Sequence, residues 1–445
     1  MAISVVKGRA PRKNLFANRI YELGTENAFK IGPHIVAVEK MGHKVIRLNL
    51  GEPDFAIPHF VKTEIKRQLD LDNTHYCDPK GLLSLRQAIA NQMKEMRGLD
   101  VSPERVVVFP GGKPSIGFTQ EAYCNPGDEI IYPSPGFPIY ESFTKYLGIT
   151  PVPLHLREET NFTFTPDDLA SLITDKTRII VLNFPSNPTG GVATREFLEQ
   201  IADVIINNCP PDVRVYSDEI YEYIVFDGKK HTSIASIKGM EGRTIISSGF
   251  SKSFAWTGGR IGYAVFPTEE EANTFKNLNI NYFSCIPPFN QEGARMALEH
   301  PESKSAISGM VKTFQERRDV IVKKLNTISG ITCKTPGGAF YLFPNISGVC
   351  EKIGACEMYE GLPRPLKART SPAGMFQMFA LYNHHVATMD RNSFGKIGAD
   401  GQHYLRLSIA SELSVLEEGV KRLETAADDK AGFAAFYKGP GLQVL

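Results

Sequence analysis

The sequence predicts an α/β protein with a mainly parallel sheet covered by helices on both faces, followed by a second, smaller α/β domain. Three observations lead to this fold class. The chain has 445 residues, which is enough for about two domains. Between residues 105 and 266, short apolar runs alternate with longer, more polar segments. The apolar runs are almost uninterrupted, which is typical of parallel strands buried on both faces.

Six apolar runs are predicted strands, and helical segments such as TREFLEQIADVIIN, which begins at residue 194, lie between them. The six runs are RVVVF at 105, DEIIYP at 128, RIIVLNF at 178, VRVYSDE at 213, TIISS at 244 and IGYAVF at 261. Because buried strands joined by helices form βαβ units, we expect most of these strands to be parallel.

After residue 266 the pattern changes to long helical segments and then to a mixed region. Helices are predicted over 268–283 and 301–328, strands at AFYLF and YLRLSIA, and a final helix at SVLEEGVKRLETAA. We expect an N-terminal arm and part of the small domain in 1–60, the large domain in 61–315, and the small domain in 316–445. Residues 347–374 are rich in Gly and Pro and are predicted to form an inserted loop.

The composition argues against several classes of function. The net charge of +1 gives no global attraction to nucleic acid or to an anionic membrane. No stretch approaches the about 18 consecutive apolar residues of a spanning helix, and the first 24 residues do not resemble a secretion signal. Seven scattered cysteines without a CxxC pair favour reduced thiols in a cytoplasmic protein. We therefore expect no nucleic-acid partner, no membrane association and no metal site.

Polar and glycine residues follow four of the predicted strands, at the point where each strand ends. They are Gly111-Gly112-Lys113, Asn187, Asp218 and Lys252. In open α/β sheets, ligands bind beyond the carboxyl ends of the strands. One rule thus brings four scattered positions to one crevice, and this is the first evidence for a site.

The segment SSGFSKSFAWTGGRIGY, residues 247–263, places one lysine among small residues with an arginine eight positions later. An isolated lysine is usually a solvated surface group, and an aspartate at a strand end is usually a cap. Together, however, Lys252, Asp218 and Arg260 suit a cofactor that has an aldehyde, a titratable ring nitrogen and a phosphate. Pyridoxal 5′-phosphate has all three groups. The GGKPS segment before a predicted helix supplies backbone N–H groups for the phosphate.

Eight segments in order make the chain resemble the fold-type I pyridoxal-phosphate aminotransferases of class I/II, of the aspartate aminotransferase kind. The resemblance covers roughly residues 25–425 and rests on LNLGEPDF, HYCDPKGLLSLRQAI, FPGGKPS, PSPGFPIY, NFPSNPTGG, SDEIYEYIVF, SGFSKSFAWTGGRIGY and LRLSIA. It implies a large domain with a seven-stranded, mainly parallel sheet, a small α/β domain, and a homodimer with shared active sites.

The resemblance also implies a role for each matching residue. Lys252 would form the imine with the cofactor and later carry the α-proton, Asp218 would pair with the ring nitrogen, and Tyr221 would hydrogen-bond the phenolic oxygen together with Asn187. The other implied cofactor contacts are Gly112, Lys113, Phe137, Ser251, Arg260 and Tyr76, the last reaching in from a second subunit. The implied substrate contacts are Gly51, Asn187, Lys113 and Arg406, with Arg406 gripping the α-carboxylate as a two-pronged fork.

The sequence departs from the family pattern at two positions. Gly259 stands where many relatives have Trp, and Gly249 stands where many have a hydroxyl that contacts the phosphate. Ser248 or Ser251 could supply the missing hydroxyl, and the sequence does not decide between them.

The substrate also stays open at this stage. Lys113 favours aspartate or glutamate as amino donor, with 2-oxoglutarate or oxaloacetate as acceptor, because an ammonium group on a flexible stem can meet a distal carboxylate. Phe29, Phe55 and Ile57 near the expected entrance equally suit an aromatic or aliphatic substrate, as in aromatic or alanine aminotransferases. Lyases and oxidases also use this cofactor on this fold. A non-catalytic regulator is disfavoured, because the first 25 residues are too few for a DNA-binding domain.

Overall fold

The computed structural model describes residues 15–24, 30–395, 397, 399 and 401–445. Within these residues the chain forms twelve strands, most of them short. They are β1 Ile46–Arg47, β2 Val106–Phe109, β3 Glu129–Ser134, β4 Thr150–His155, β5 Thr177–Asn183, β6 Arg214–Asp218, β7 Thr244–Gly249, β8 Gly262–Val265, β9 Tyr341–Leu342, β10 Val386–Ala387, β11 Met389–Asp390 and β12 Leu405–Ser408.

The same residues form α-helices that pack on both sides of the strands. They are α1 Gly32–Lys40, α2 His59–Asp70, α3 Leu83–Arg97, α4 Lys113–Tyr123, α5 Ile139–Tyr146, α6 Pro166–Ala170, α7 Arg195–Asn208, α8 Phe250–Ser253, α9 Glu269–Phe283, α10 Pro288–Glu299, α11 Ser303–Leu325, α12 Ser347–Lys352, α13 Ala355–Glu360, α14 Arg364–Lys367, α15 Pro372–His384, α16 Leu413–Asp428 and α17 Lys430–Lys438. Short 3-10 helices occupy Asn18–Glu22, Pro103–Arg105, Ile234–Ser236, Glu241–Arg243, Thr257–Gly259, Arg391–Phe394 and Pro440–Val444.

The large sheet has seven strands in the order β2-β8-β7-β6-β5-β3-β4. Only β8 is antiparallel to its neighbours, and the remaining pairs are parallel. The predicted α/β class with a mainly parallel seven-stranded sheet is therefore confirmed. All six strands predicted from apolar runs lie in this sheet.

The seventh strand, β4, was not among the six apolar runs. Its sequence TPVPLH contains two prolines, at positions 151 and 153. Proline cannot donate to the hydrogen-bond ladder, so it is tolerated at a sheet edge but weakens the sequence signal for a strand. The structure places β4 at the edge, paired only with β3 among the described strands.

A second group of strands lies outside the large sheet, and all of them except β1 come after it in sequence. Strands β11, β12 and β9 form a three-stranded antiparallel sheet, and β1 pairs in parallel with β10. The predicted long helix is present as α11. The proposed domain boundaries at residues 60 and 315 stay proposals.

The prediction that residues 347–374 form a loop is wrong, while the prediction that they are an insertion stays a prediction. Three short helices, α12, α13 and α14, and the start of α15 occupy this stretch. Gly354 adopts a left-handed φ of 83° and separates α12 from α13, while Pro363 precedes α14. The glycine and proline residues thus end helices rather than abolish them. Apolar residues of the segment, including Val349 and Ala355, are buried in the core of this region.

None of the helices within the described residues is long and apolar enough to cross a membrane.

Candidate active site

A cavity of about 450 Å³ lies at the carboxyl ends of the central strands. Every predicted site residue except Tyr76 lines it. The lining residues are Leu50, Gly51, Glu52, Gly112, Lys113, Ile116, Phe137, Asn183, Asn187, Asp218, Ile220, Tyr221, Ser247, Ser251, Lys252, Thr257, Arg260, Tyr341 and Arg406. The strand-end rule therefore located the crevice correctly.

Lys252 projects from α8, the four-residue helix that begins directly after β7. Its Nζ donates a hydrogen bond to the carbonyl oxygen of Gly51 at 2.6 Å, and it lies 6.0 Å from the centre of the Phe340 ring. The Gly51 segment comes from the N-terminal part of the chain. The amine is thus held between two distant parts of the sequence and faces the cavity.

Asp218 is the last residue of β6 and is buried at the cavity. Its Oδ2 accepts a hydrogen bond from the Tyr140 hydroxyl at 2.6 Å, and its Oδ1 accepts one from the Ile220 amide at 3.3 Å. Both donors are neutral. Burial raises the pKa of Asp218 to about 6, although the bond from Tyr140 opposes the rise. The cavity therefore contains a buried carboxylate that a cation would stabilise.

A chain of amide groups joins Asp218 to Asn187 across neighbouring strands. The Nδ2 group of Asn183 donates to the backbone carbonyl of Asp218 at 3.1 Å. Its Oδ1 accepts from the backbone N–H of Asn187 at 2.9 Å. Asn183 thus fixes the loop after β5 relative to the end of β6, and both ends face the same cavity.

Arg406 lies on β12. Its guanidinium hydrogen-bonds both the loop after β5 and the N-terminal segment near Asn49. Its Nη1 donates to Oδ1 of Asn187 at 3.2 Å, and its Nη2 donates to the backbone carbonyl of Asn49. The Arg406 Cζ atom lies 4.5 Å from the centre of the Tyr341 ring and 4.9 Å from that of Phe394.

Backbone N–H groups and an arginine meet at the start of α4. The helix begins at Lys113, two residues after Gly111, which has a φ of +89°. A Cβ atom on Gly111 would lie 2.1 Å from Nη2 of Arg260, so only glycine fits here. Arg260 donates to the carbonyls of Thr257 at 3.0 Å and Pro110 at 3.3 Å. This corner of the cavity combines a helix N-terminus with a guanidinium, as anion sites do.

The two glycine departures have structural reasons. A Cβ atom on Gly259 would lie 2.1 Å from Cε2 of Trp256, so the Trp256 indole occupies the space that a side chain at 259 needs. A Cβ atom on Gly249 would lie 2.9 Å from Cα of Gly262, because strands β7 and β8 approach closely at this point. Of the two serines considered as replacements for a hydroxyl at 249, Ser251 lines the cavity. The Ser248 hydroxyl instead donates to Oε1 of Glu222 at 2.6 Å.

Tyr76 is the exception among the predicted site residues. It is 88% exposed and lies outside the cavity of its own chain. Of the residues expected at the entrance, Phe55 packs edge-on against Phe314 at 5.3 Å and Ile57 packs against a separate core cluster. Neither lines the cavity, so their expected contribution to an apolar entrance is not seen. Phe29 lies outside the described residues.

Sequence reasoning missed several residues that line the cavity or, like Tyr140, contact a lining residue. Tyr140 and Asn183 lie inside the quoted segments PSPGFPIY and NFPSNPTGG, and Tyr341 lies inside the predicted strand AFYLF. Each could have been found as a polar residue within an apolar or motif-bearing stretch. Glu52 and Thr257, which are hydrogen-bonded to each other, also line the cavity. No spacing rule connects these two residues, because 205 positions separate them.

The sequence pattern of the family described as "Aminotransferase class I and II" matches residues 43–423. The chain belongs to this aminotransferase family. It is therefore a transaminase, and the predicted enzyme class is confirmed.

Individual relatives agree with this family assignment. The chain is 33% identical over 420 residues to an aspartate aminotransferase of Pyrococcus horikoshii, covering 94% of this chain and 99% of the relative. It is 34% identical over 389 residues to "Aromatic-amino-acid aminotransferase 2" of Thermococcus litoralis, covering 87% of this chain and 92% of the relative. A solved aspartate aminotransferase of Rhizobium meliloti superposes with a TM-score of 0.83 at 30% identity, covering 93% of this chain and 99% of the solved chain.

Proposed function

We propose that this aminotransferase uses pyridoxal 5′-phosphate and transfers the amino group of aspartate or glutamate to 2-oxoglutarate or oxaloacetate. When bound, the cofactor supplies an aldehyde that condenses with amines and a ring that accepts the electrons released at the substrate α-carbon. The observation that carries the proposal is the presence of the Lys252 amine and the buried Asp218 carboxylate in one cavity.

The residues of the cavity match each group of the cofactor. The N-terminus of α4 at Gly112 and Lys113, the Ser251 hydroxyl and the Arg260 guanidinium would hold the phosphate. Asp218 would hold the ring nitrogen in its charged form, because an opposite charge within about 4–6 Å favours the protonated nitrogen. Tyr221 and Asn187 would donate to the phenolic oxygen, and Phe137 would lie against the ring face.

Lys252 would hold the cofactor and then move the proton of the substrate α-carbon. Its hydrogen bond to Gly51 keeps the amine at the cavity. A base must reach the proton that it removes, and position therefore matters before pKa does. The neighbouring Arg406 would bind the substrate α-carboxylate with two parallel N–H groups, an arrangement that lysine cannot reproduce.

The charge of the cavity supports a substrate with two carboxylates. Its cationic side chains are Lys113, Lys252, Arg260 and Arg406, and its acidic ones are Glu52 and Asp218. Asp218 is assigned to the ring nitrogen, and Glu52 is hydrogen-bonded to Thr257. Lys113 is exposed at the rim, with its Nζ 5.7 Å from the centre of the Phe137 ring. From there its flexible stem would reach a distal carboxylate and swing aside for a neutral side chain.

Borohydride reduction tests the cofactor and the role of Lys252. Protein supplied with pyridoxal 5′-phosphate should turn yellow, and reduction should fix the cofactor to the peptide that contains Lys252. Lys252→Ala should lose several orders of magnitude in turnover, where each factor of ten is about 1.4 kcal/mol of barrier. Attachment to a different lysine would refute the assignment.

The substrate class is tested by Lys113→Ala, measured on aspartate and on alanine. A lost charge-assisted hydrogen bond should cost about 1–3 kcal/mol in kcat/KM for aspartate and little for alanine. An equal loss on both substrates would show that Lys113 serves the cofactor alone. Production of a keto acid without amino transfer to 2-oxoglutarate would indicate a lyase or oxidase instead.

The proposed enzyme is also a homodimer with shared sites. Tyr76 is exposed in the single chain and lies outside its own cavity, as expected of a residue that reaches a partner's cofactor. Mixing inactive Tyr76→Ala and Lys252→Ala proteins should restore part of the activity in hybrid dimers. A fully active monomer at assay dilution would refute sharing. We place the enzyme in the cytoplasm, which is supported by seven cysteines that are all free thiols.

A further inference from the structure

The structure assigns Tyr341 a double positioning role, which rests on the proposed function. We propose that its hydroxyl orients Tyr221 toward the cofactor, while its ring, together with that of Phe394, fixes the Arg406 guanidinium for the substrate carboxylate. Three residues of the candidate site, Gly51, Tyr221 and Arg406, thus depend on one buried side chain.

The hydroxyl half of the role rests on two close contacts. Tyr341 is 2% exposed, and its hydroxyl lies 2.9 Å from that of Tyr221, with either group able to donate. A Cβ atom on Gly51 would lie 2.0 Å from the Tyr341 oxygen, so the Gly51 backbone packs directly over this hydroxyl. The Tyr341 hydroxyl therefore holds the Tyr221 hydroxyl in place and sets its orientation.

The ring half of the role rests on the aromatic pair formed by Tyr341 and Phe394. Both ring centres lie within 5 Å of the Arg406 Cζ atom, at 4.5 Å and 4.9 Å. A guanidinium over an aromatic face is attracted to it, and most strongly where water is excluded. The hydrogen bonds to Asn187 and Asn49 fix the edge of the guanidinium, and the two rings fix its plane.

The elements behind the pair are themselves well anchored. Tyr341 lies on β9, where it pairs with Ser408 of β12, two residues beyond Arg406. Phe394 ends a short 3-10 helix whose first residue, Arg391, is fully buried. The Arg391 guanidinium donates to the Gly395 carbonyl at 2.7 Å and to the Ser134 hydroxyl at 3.0 Å. The Phe394 ring is thereby held next to the end of β3.

Because the two halves use different atoms, two single variants separate them. Tyr341→Phe removes the hydroxyl and keeps the ring. Phe394→Leu removes one ring of the pair and keeps the hydroxyl. Phe343→Leu is the matched control, since Phe343 is equally buried beside β9 but stacks on Tyr404 and lies outside the cavity.

The test uses protein loaded with pyridoxal 5′-phosphate and two readouts, the pH titration of the cofactor absorbance and the affinity for maleate, an unreactive dicarboxylate. Tyr341→Phe should move the absorbance midpoint by about 0.5–1 pH unit and leave maleate affinity within about twofold of wild type. Phe394→Leu should weaken maleate binding about tenfold and leave the midpoint in place. Phe343→Leu should change neither readout.

Two results would overturn the proposal. One is a change of both readouts together in both variants, and the other is a Phe343→Leu effect as large as that of Phe394→Leu. If no variant takes up the cofactor, the proposed function fails and the hydroxyl half fails with it. Maleate calorimetry on the cofactor-free protein then still decides the ring half.

Discussion

Two adjacent carboxylates at the end of β6, Asp218 and Glu219, occupy opposite environments. Both are buried, yet burial raises the pKa of Asp218 to about 6, while Glu219 has a pKa below its ordinary value. Burial alone would raise the pKa of Glu219 as well, but Arg97 and His231 outweigh it. The difference lies in the partners, because Asp218 is hydrogen-bonded by neutral groups while Glu219 is paired with the Arg97 guanidinium and also bonded by His231.

Glu219 belongs to a buried cluster of charged side chains around Arg97. The Arg97 guanidinium bonds Glu219 at 2.7 Å and also bonds Glu222. His231 lies 2.8 Å from Glu219, and the Ser233 hydroxyl donates to the same carboxylate. Buried charges are tolerated when they are paired, and here Arg97 pairs with both carboxylates while His231 bonds Glu219.

The cavity side differs, because burial outweighs the partners of Asp218 and raises its pKa. Asp218 accepts hydrogen bonds from the Tyr140 hydroxyl and the Ile220 amide, and it faces the cavity, where the charge of Lys252 lowers its pKa less than burial raises it. A buried carboxylate in that state costs stability unless a ligand supplies the positive charge. We infer that the cluster around Arg97 serves folding and that Asp218 serves binding. The predictions below separate the two.

The largest effect on stability is expected from breaking the core cluster. Arg97→Met leaves two carboxylates buried without their cation, which should lower the free energy of unfolding by about 3–5 kcal/mol. Lys94→Met is the control on the same helix, since Lys94 forms an exposed ion pair with Asp100, and such pairs contribute less than about 1 kcal/mol. Chemical denaturation measures both. Equal losses would show that the cluster is not paired as described.

Asp218→Asn should have the opposite balance, with a large effect on activity and little harm to folding. The amide cannot stabilise a charged ring nitrogen, and turnover should fall at least about 100-fold, or about 2.7 kcal/mol of barrier. Cofactor retention should persist through the phosphate contacts. Steady-state kinetics and the bound-cofactor spectrum measure this, and near-normal turnover would remove Asp218 from the mechanism.

A smaller effect is expected where the Trp256 indole replaces a side chain at 259. Gly259→Ala forces a Cβ atom against the indole and should cost about 1–3 kcal/mol of stability. Its neighbour Gly258 has open space around it, so Gly258→Ala should stay within about 0.5 kcal/mol of wild type. Trp256→Met alone should destabilise the protein, because the indole is buried. In that background Gly259→Ala should cost much less than it does beside the indole. An equal cost in thermal unfolding with and without Trp256 would contradict the clash.

The sequence predicted most residues of the candidate site but not the side chains that contact and position them. Lys252, Asp218 and Asn187 follow strand ends, so the topology of a parallel sheet brings them together whatever the loops do. Tyr341 and Tyr140 depend on how β9 and α5 pack against those ends, and apolar patterning does not distinguish a core tyrosine from a site tyrosine. The Arg97 cluster joins residues more than 120 positions apart, and nothing local marks such a pairing.

The same reasoning explains the errors in secondary structure. The six strands predicted from apolar runs are buried on both faces, so their composition identifies them. Strand β4 is an edge strand with two prolines, and the helices of residues 347–367 are each six residues or shorter. Short helices show too few turns for a periodic signal, and the surrounding packing decides that they form.

The contrast between Asp218 and Glu219 is tested most directly by thermal unfolding of wild type and Asp218→Asn from pH 4 to pH 8, with and without pyridoxal 5′-phosphate. The pKa of Asp218 is about 6 in the folded chain against 3.8 ordinarily. The folded state therefore binds the proton more tightly, and its stabilising contribution is lost as pH rises from about 4 to about 6. Without cofactor, Asp218→Asn should become the more stable protein above pH 6, by up to about 3 kcal/mol. With cofactor bound, the order should reverse. A wild type that is at least as stable as Asp218→Asn at pH 8 without cofactor, or an order that the cofactor leaves unchanged, would contradict the account.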